Sequence, residues 1–562
     1  MSEVEVMITA LAAIFVVSAV LLIVANRFSL TTIPFYIVAG ILISTTDVIP
    51  EAEILELAQW GIAFLIFVFG INVDFDKLGS IARDSEVVAA VQIAVTGSVA
   101  YIAAVALGLD SFDATLFSVA AALSSSLVGL SLLRDELRDT LVYGRLSASI
   151  YFVQDIVAVI VVLVLTVGDF TPDALAAQVG YGAILLTAAF VVRRHLLSFV
   201  LDLAGDSGEL ATMAGVSVLV FFIAGAELAG ISVVVGAFAA GVAVSGEFSH
   251  NLEMLNGVKS IRDFFVTVFF VTLGALVAVP SPRVLLLAGV LTFITAVLKP
   301  LVVTSILVAQ GYDSRTAALT GFGLDQISEF ALVLVIMSLI TGDVSPDVFD
   351  AVILAAAVTM VTSSYTRRHD ECVYRFFVER VPYEFGGGGR VEAQVGDIED
   401  HVVVLGYGRV GRKVVETCEE EGIGCVVVEN DPILFDEIRA NCKAYVFGEG
   451  TSATTWRAAR ADRARLVVST AAQRPVSERV LELVDCDVIL RADDSETATE
   501  LLDAGALFVA VPDVLASDVL VEHVKGVIDD EGYVDEIRRH GREDARRLMR
   551  QEHDAGVARR DD

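Results

Sequence analysis

Apolar residues run in long, nearly unbroken windows from residue 6 to about residue 366, then give way to short apolar runs separated by charge. About thirteen windows recur, near 6–25, 31–49, 56–72, 87–107, 112–133, 146–168, 174–192, 210–229, 231–246, 263–279, 284–309, 316–341 and 347–366. Each approaches the roughly 17–25 apolar residues that a helix needs to cross a bilayer core. The opening MSEVEV is acidic where a cleaved leader needs a basic flank, so 6–25 reads as a first membrane helix.

The polar connections alternate in charge. The odd-numbered exits carry Arg27; Lys77 and Arg83; Arg134, Arg138 and Arg145; Arg193 and Arg194; Lys259 and Arg262; Arg315; and Arg367 and Arg368. The even exits read LDSFD, GDFTPD and TGDVSPD, and only Arg283 breaks the pattern. The positive-inside rule then predicts an external N-terminus, a cytoplasmic C-terminus and an odd number of spans. An odd count also permits two six-helix halves of opposite orientation around a linking seventh, the inverted-repeat plan of many secondary transporters.

Polar interruptions fall at corresponding places in the two halves. Ser124, Ser125, Ser126 and Gly129 interrupt the fifth window, and Gly321, Gly323, Asp325, Gln326, Ser328 and Glu329 interrupt the twelfth. Such pairs predict broken helices whose free backbone ends meet at mid-membrane.

Past residue 366 the pattern predicts a polar and Gly-rich linker over 367–399, a soluble α/β domain over 400–520 and a charged helical tail over 521–562. The domain opens HVVVLGYGRVGRKVVETCEEEGIGCVVVEND, a strand, a Gly-rich turn, a helix and a second strand ending in acid. This is the dinucleotide-binding fingerprint in its proper context: Gly406 for the tight turn, Gly408 for approach to pyrophosphate, Gly411 for helix packing and Glu429 for ribose hydroxyls. Tyr407, Arg409, Val410 and Asn430 complete the expected contact set for NAD(H) or another adenine nucleotide. Further strands are expected at 444–447, 466–469, 488–492 and 507–511.

Composition narrows the class. A chain of 562 residues that is 55% hydrophobic, with mean hydropathy +0.70, belongs in a lipid bilayer. The formal net charge of −33 makes nucleic acid an implausible partner. The five cysteines all lie in the last third, without a CxxC pair, which argues against a disulfide framework or structural zinc. QVGYG at residues 178–182 resembles a potassium-channel filter, but it occurs once and opens a helical window, so helix packing explains it.

The chemistry concentrates in the sixth window, SASIYFVQDIVAVIVVLVLTV, where Asp155 and Gln154 sit at bilayer depth. An ionisable group there costs about 2.5–3.5 kcal/mol on insertion scales, so it marks an aqueous cavity or a ligand. Lys299 lies in the eleventh window, and the simplest account pairs it with Asp155 until a cation intervenes. Gln154 would add an amide oxygen, and Ser125, Ser126, Asp325, Gln326 and Glu329 are the further ion-site candidates. A dehydrated monovalent cation and a proton competing at Asp155, with alternating access, gives antiport. The soluble domain carries no catalytic constellation, so the chain is read as a transporter, not an enzyme. A ligand-gated cation channel on the same scaffold is the rival.

These motifs resemble the Kef-type potassium/proton antiporters of the monovalent cation:proton antiporter-2 family, over nearly the whole chain. IPFYIVAGILI, WGIAFLIFVFGINVDF, ALSSSLVGLSLL, YFVQDIVAV, SGELATMAG, LAGISVVVGAFAAGVAVS, FFVTVFFVTLGAL and QISEFALVLVI carry the likeness. The C-terminal domain resembles the TrkA-N, or RCK, nucleotide-binding domain. The resemblance implies an all-α polytopic crossed-helix antiporter domain plus a cytoplasmic Rossmann-type domain. It also implies a homodimer in the plasma membrane, a QD ion-binding pair at Gln154 and Asp155, a lysine at Lys299, and transport of K+ or Na+ under nucleotide control. Departures are Ile327 and Ser328 where the family has a glycine pair, and Asp325 where a small residue is usual.

Overall fold

The computed structural model describes residues 3–28, 30–44, 51–72, 83–138, 141–165, 172–197, 208–230, 232–245, 252–380, 392–431, 434–529 and 533. The Gly386–Gly389 stretch and the tail beyond Asp529, Tyr533 apart, lie outside them. The chain divides into two units, Met1–Gly387 and Gly388–Asp562.

In the first unit helix lies over each apolar window. Helices long and apolar enough to cross a membrane are Asp84–Ala106, Ser111–Leu132, Val142–Val162, Pro282–Ala309 and Pro346–Arg368, with shorter apolar helices among the other described residues. Local chemistry sets their ends. The Asp110 carboxylate accepts from the N–H groups of Phe112 and Asp113, Ser281 caps a helix that begins with Pro282, and Gly342 ends another in the left-handed conformation. QVGYG lies inside the helix Pro172–Val191, and a Cβ added at Gly180 or Gly182 would meet nothing within 4 Å, so the stretch is helical but its glycines make no close helix contact here.

These helices form two groups. Ile33–Ser44 packs on Leu252–Ala275, and Glu51–Asn72 on Val233–Val244. Both contacts are made backbone to backbone. A Cβ on Gly274 would lie 1.9 Å from the Ile37 carbonyl oxygen, and one on Gly241 would lie 2.2 Å from that of Phe67. Lipid gives no hydrophobic drive for helix association, so close van der Waals approach through small residues supplies it.

The second group packs Arg83–Ala106, Ser111–Leu132, Val142–Leu165, Pro282–Ala309, Ser314–Thr341 and Pro346–Arg368 together, and holds the crossing described below. Beyond it the helix Asp370–Arg380 is tied back to this group. Arg315 Nε lies 3.0 Å from Glu371 Oε2, the Ser314 and Tyr374 hydroxyls are 3.0 Å apart, and Arg367 pairs with Glu136 and Asp370.

The second unit is a seven-stranded sheet: β1 Glu392–Gln394, β2 His401–Leu405, β3 Cys425–Glu429, β4 Tyr445–Phe447, β5 Ala464–Ser469, β6 Asp487–Arg491 and β7 Phe508–Ala510, in spatial order β1-β4-β3-β2-β5-β6-β7. All neighbours are parallel except β1, which pairs antiparallel with β4 inside the stretch read as linker. Strands leave β2 toward both edges, so the switch point, where a doubly wound sheet binds its ligand, lies at the carboxyl ends of β2 and β5.

Candidate functional site

Both interrupted windows break. Ser111–Ala122 ends at Leu123, extended at φ −87° and ψ 149°, and helix resumes at Ser126–Leu132, capped by the Ser125 hydroxyl. Ser314–Gly323 ends at Leu324, and Glu329–Thr341 starts after Ser328, whose hydroxyl accepts from the Phe330 N–H. Each break leaves backbone groups without helical partners, which in hydrocarbon must be satisfied by side chains.

Buried polar side chains do this. Lys299 is fully buried, and its ammonium donates to the Leu123 carbonyl at 3.0 Å, the Ser124 hydroxyl at 3.1 Å and the Gln326 carbonyl at 3.0 Å. The Ser124 hydroxyl in turn donates to the Leu324 carbonyl at 3.0 Å. Gln326 Nε2 donates to the Ser125 carbonyl at 3.1 Å and the Tyr151 hydroxyl at 2.8 Å, while the Tyr151 hydroxyl donates to the Gly323 carbonyl. Thr359 and Ser363 satisfy the Ile327 N–H and the Gln326 side-chain oxygen. A π-helical turn, Ile294–Leu298, precedes Lys299, and Pro300 follows it. Such turns re-aim the residues after them and recur at functional sites.

Charge is sorted by helix polarity. Lys299 sits on carbonyls just past the C-terminal ends of the two leading half-helices, where the partial charge is negative. Glu329 sits at the N-terminal ends of the two trailing half-helices, where it is positive: its Oε1 accepts from the Ser126 hydroxyl at 3.1 Å and the Leu127 N–H at 3.3 Å. On the Glu329 side a cavity of about 900 Å³ is lined by Ser126, Asp155 and Glu329, and it reaches exposed Arg134 and Asp263. Asp155 and Glu329 are themselves buried, and Glu329 Oε2 has no hydrogen-bond partner.

The expected residues therefore separate into two layers. Asp155, Glu329 and Ser126 share the cavity; Ser125, Lys299, Asp325, Gln326 and Gln154 do not line it. The pairing of Lys299 with Asp155 does not form, because all three ammonium protons are engaged across the breaks. Asp325 is buried in the break with Oδ1 unpartnered. Gln154 leaves the helix about 100° around from Asp155, and its amide is turned toward the break. Its oxygen accepts from the Ser124 N–H at 2.9 Å and its Nε2 donates to Gln92 at 2.7 Å. Gln92 and Tyr151 escaped the sequence reading. Gln92 interrupts an apolar run, AAVQIAV, and that lone amide was the available signal.

In the second unit Gly406 has φ +91°, Gly408 caps the helix Arg409–Glu420, and a Cβ on Gly411 would lie 1.9 Å from the Gly406 carbonyl oxygen. Arg409 and Val410 are exposed on the first turn of that helix, where a phosphate would meet free N–H groups. Tyr407 is buried beneath the Arg412 guanidinium. Glu429 is buried, and its carboxylate accepts from three backbone N–H groups: Tyr407 at 2.6 Å, Asn430 at 2.8 Å and Asp431 at 3.0 Å. Burial pushes its carboxyl above the usual range, and those three donors oppose the shift. Glu429 thus ties the Gly-rich turn to β3, a role additional to the expected ribose contact.

Comparison with known proteins follows the same two units. Residues 12–368 match the family model described as sodium/hydrogen exchanger, transmembrane, and residues 402–512 match the TrkA-N domain. The chain is 27% identical over 516 residues to KefB of Alkalimonas amylolytica, named as a K(+) efflux antiporter, covering 87% of this chain and 77% of that one. It is 26% identical over 530 residues to the glutathione-regulated potassium-efflux system protein KefC of Salmonella schwarzengrund (strain CVM19633), covering 89% and 82%. Among solved structures, the sodium proton antiporter MjNhaP1 from Methanocaldococcus jannaschii at pH 8 aligns with a TM-score of 0.52 at 14% identity, covering 65% of this chain and 99% of that one. That last likeness is one of fold.

Proposed function

The chain belongs to the sodium/hydrogen exchanger family, and from that premise we propose that it exchanges a monovalent cation, K+ or Na+, for protons by alternating access. The observation that carries this reading is the shared cavity of Asp155, Glu329 and Ser126. Two carboxylates facing one water-accessible cavity can hold a partly dehydrated cation or protons, and the two occupants exclude each other. Lys299, Gln154, Ser125, Gln326 and Asp325 build and neutralise the crossing behind that site. The cavity reaches Arg134, at an end where the positive-inside rule puts the cytoplasm, which supports a C-terminal unit in the cytoplasm and a cell-membrane location. The relatives named for potassium efflux favour potassium.

The TrkA-N unit binds NAD(H) or another adenine nucleotide through residues 406–411, with Glu429 and Asn430 at the ribose, and nucleotide regulates exchange in a homodimer. Residues 1–366 form the exchanger, 367–399 the connection, 400–520 the nucleotide unit and 521–562 the tail.

Reconstituted protein should move K+ or Na+ against an imposed proton gradient, read by a pH-sensitive dye in liposomes, and Asp155→Asn should abolish that movement. Cation flux indifferent to the gradient would return the reading to a channel, and full exchange by Asp155→Asn would move the site to Glu329.

A further inference from the structure

Gln92 and Gln154 form a relay across the break in the fifth window. Gln154 Oε1 accepts from the Ser124 N–H at 2.9 Å, Gln154 Nε2 donates to Gln92 Oε1 at 2.7 Å, and Gln92 Nε2 donates to the Ala122 carbonyl at 2.9 Å. Gln92 Nε2 also reaches the Thr96 hydroxyl at 3.4 Å. Side-chain amides can ordinarily be turned over, exchanging oxygen for nitrogen. This relay cannot, because a backbone N–H at one end can only donate and a backbone carbonyl at the other can only accept. Both glutamines are buried, so water does not compete for these bonds.

The consequence concerns the neighbouring residue. Gln154 precedes Asp155, and an amide oxygen beside a carboxylate is an attractive ligand for a monovalent cation. We propose that Gln92 is a positioning residue of the cation site, holding the Gln154 oxygen on the Ser124 N–H and so out of the cation's coordination. The cation then meets Asp155, Glu329, the Ser126 hydroxyl and water. This rests on the exchange reading above.

Gln92→Leu removes one of the two bonds that orient the Gln154 amide, the one at Nε2, while keeping a side chain of similar size and leaving the Ser124 N–H in place. The released amide gains freedom to turn its oxygen toward Asp155, and an added oxygen ligand changes both affinity and preference between ions of different size. The expected result in liposomes is an apparent KM for K+ lowered at least threefold and a K+/Na+ preference altered by a similar factor. The decisive measurement is the same substitution in a Gln154→Leu background, where it should leave KM unchanged because the oxygen is gone. An equal KM shift in both backgrounds would show that Gln92 acts through the Ala122 backbone alone and would overturn the proposal. So would an unchanged KM in Gln92→Leu. Thermal stabilisation of purified full-length protein by potassium chloride against choline chloride repeats the comparison without transport. If the parent protein fails to couple protons to flux, the exchange reading fails, and these half-saturating concentrations still decide whether Gln92 acts through Gln154.

Discussion

The two helix groups of the membrane unit are held by opposite means. In one, glycines bring backbones together so closely that Gly274 and Gly241 leave no room for a single methyl. In the other, the backbone is interrupted, and side chains of Lys299, Gln92, Gln154, Gln326 and Ser124 replace the missing helical bonds. Backbone-on-backbone packing is short-ranged and offers few alternative arrangements. A lattice of side-chain bonds can be exchanged one partner at a time, which suits the proposed ion site. Rigidity and adaptability are thus built from different chemistry within one bilayer thickness.

Four substitutions break or sharpen that contrast. Lys299→Met strands three acceptors at once, and each buried group left unsatisfied costs about 1–3 kcal/mol. Thermal unfolding should show that loss and liposome flux should vanish; retained flux would mean the crossing does not need its cation. Gly274→Ala forces a methyl against the Ile37 carbonyl, and overpacking costs about 1–3 kcal/mol. Its melting temperature should fall while the apparent KM for K+ stays at the parent value, and a changed KM would erase the division of labour between the groups.

Glu429→Gln tests the soluble unit by the same logic and should lose about 1–3 kcal/mol at the Gly-rich turn, where N–H donors lose a charged acceptor. The sign of its pH dependence is fixed by the raised carboxyl. Between the unfolded value and the higher folded one, the folded protein binds more protons, so the Glu429 contribution to stability falls as pH rises through that window. The glutamine variant should lack that component in melting curves collected across pH, alongside weaker binding of NADH by fluorescence. Arg315→Ala removes a partly exposed pair with Glu371, worth about 0–1 kcal/mol. It should leave basal flux intact while reducing the response to added nucleotide; an undiminished response would place the coupling elsewhere.

Much of this was legible in the sequence, and the illegible part has a common cause. Asp155, the serine run at 124–126 and the polar stretch at 321–329 stand out because polar residues at bilayer depth are expensive, and both stretches are breaks. Gly406, Gly408 and Gly411 stand out because spacing alone demands them. Depth in the bilayer can be read from a one-dimensional pattern; the direction a side chain faces across neighbouring helices cannot. The lysine was thus placed near the right level, but its ammonium meets the Leu123 carbonyl rather than Asp155, and the Gln154 oxygen accepts from the Ser124 N–H. The edge strand β1, three residues of mixed polarity, is specified by its antiparallel partner β4, which no local pattern reveals.

The helix Asp370–Arg380, fastened to Ser314 and Arg315, turns the half-helix Ser314–Gly323 into a lever. Its 10 residues give an arm of about 15 Å at 1.5 Å per residue. A tilt of about 10° at the fastened end would carry the far end by about 2.6 Å on that arm. That displacement is close to the 3.0 Å length of the bond from Lys299 to the Gln326 carbonyl, three residues past that end, so a small rotation at the fastened end is of the size that would stretch this bond.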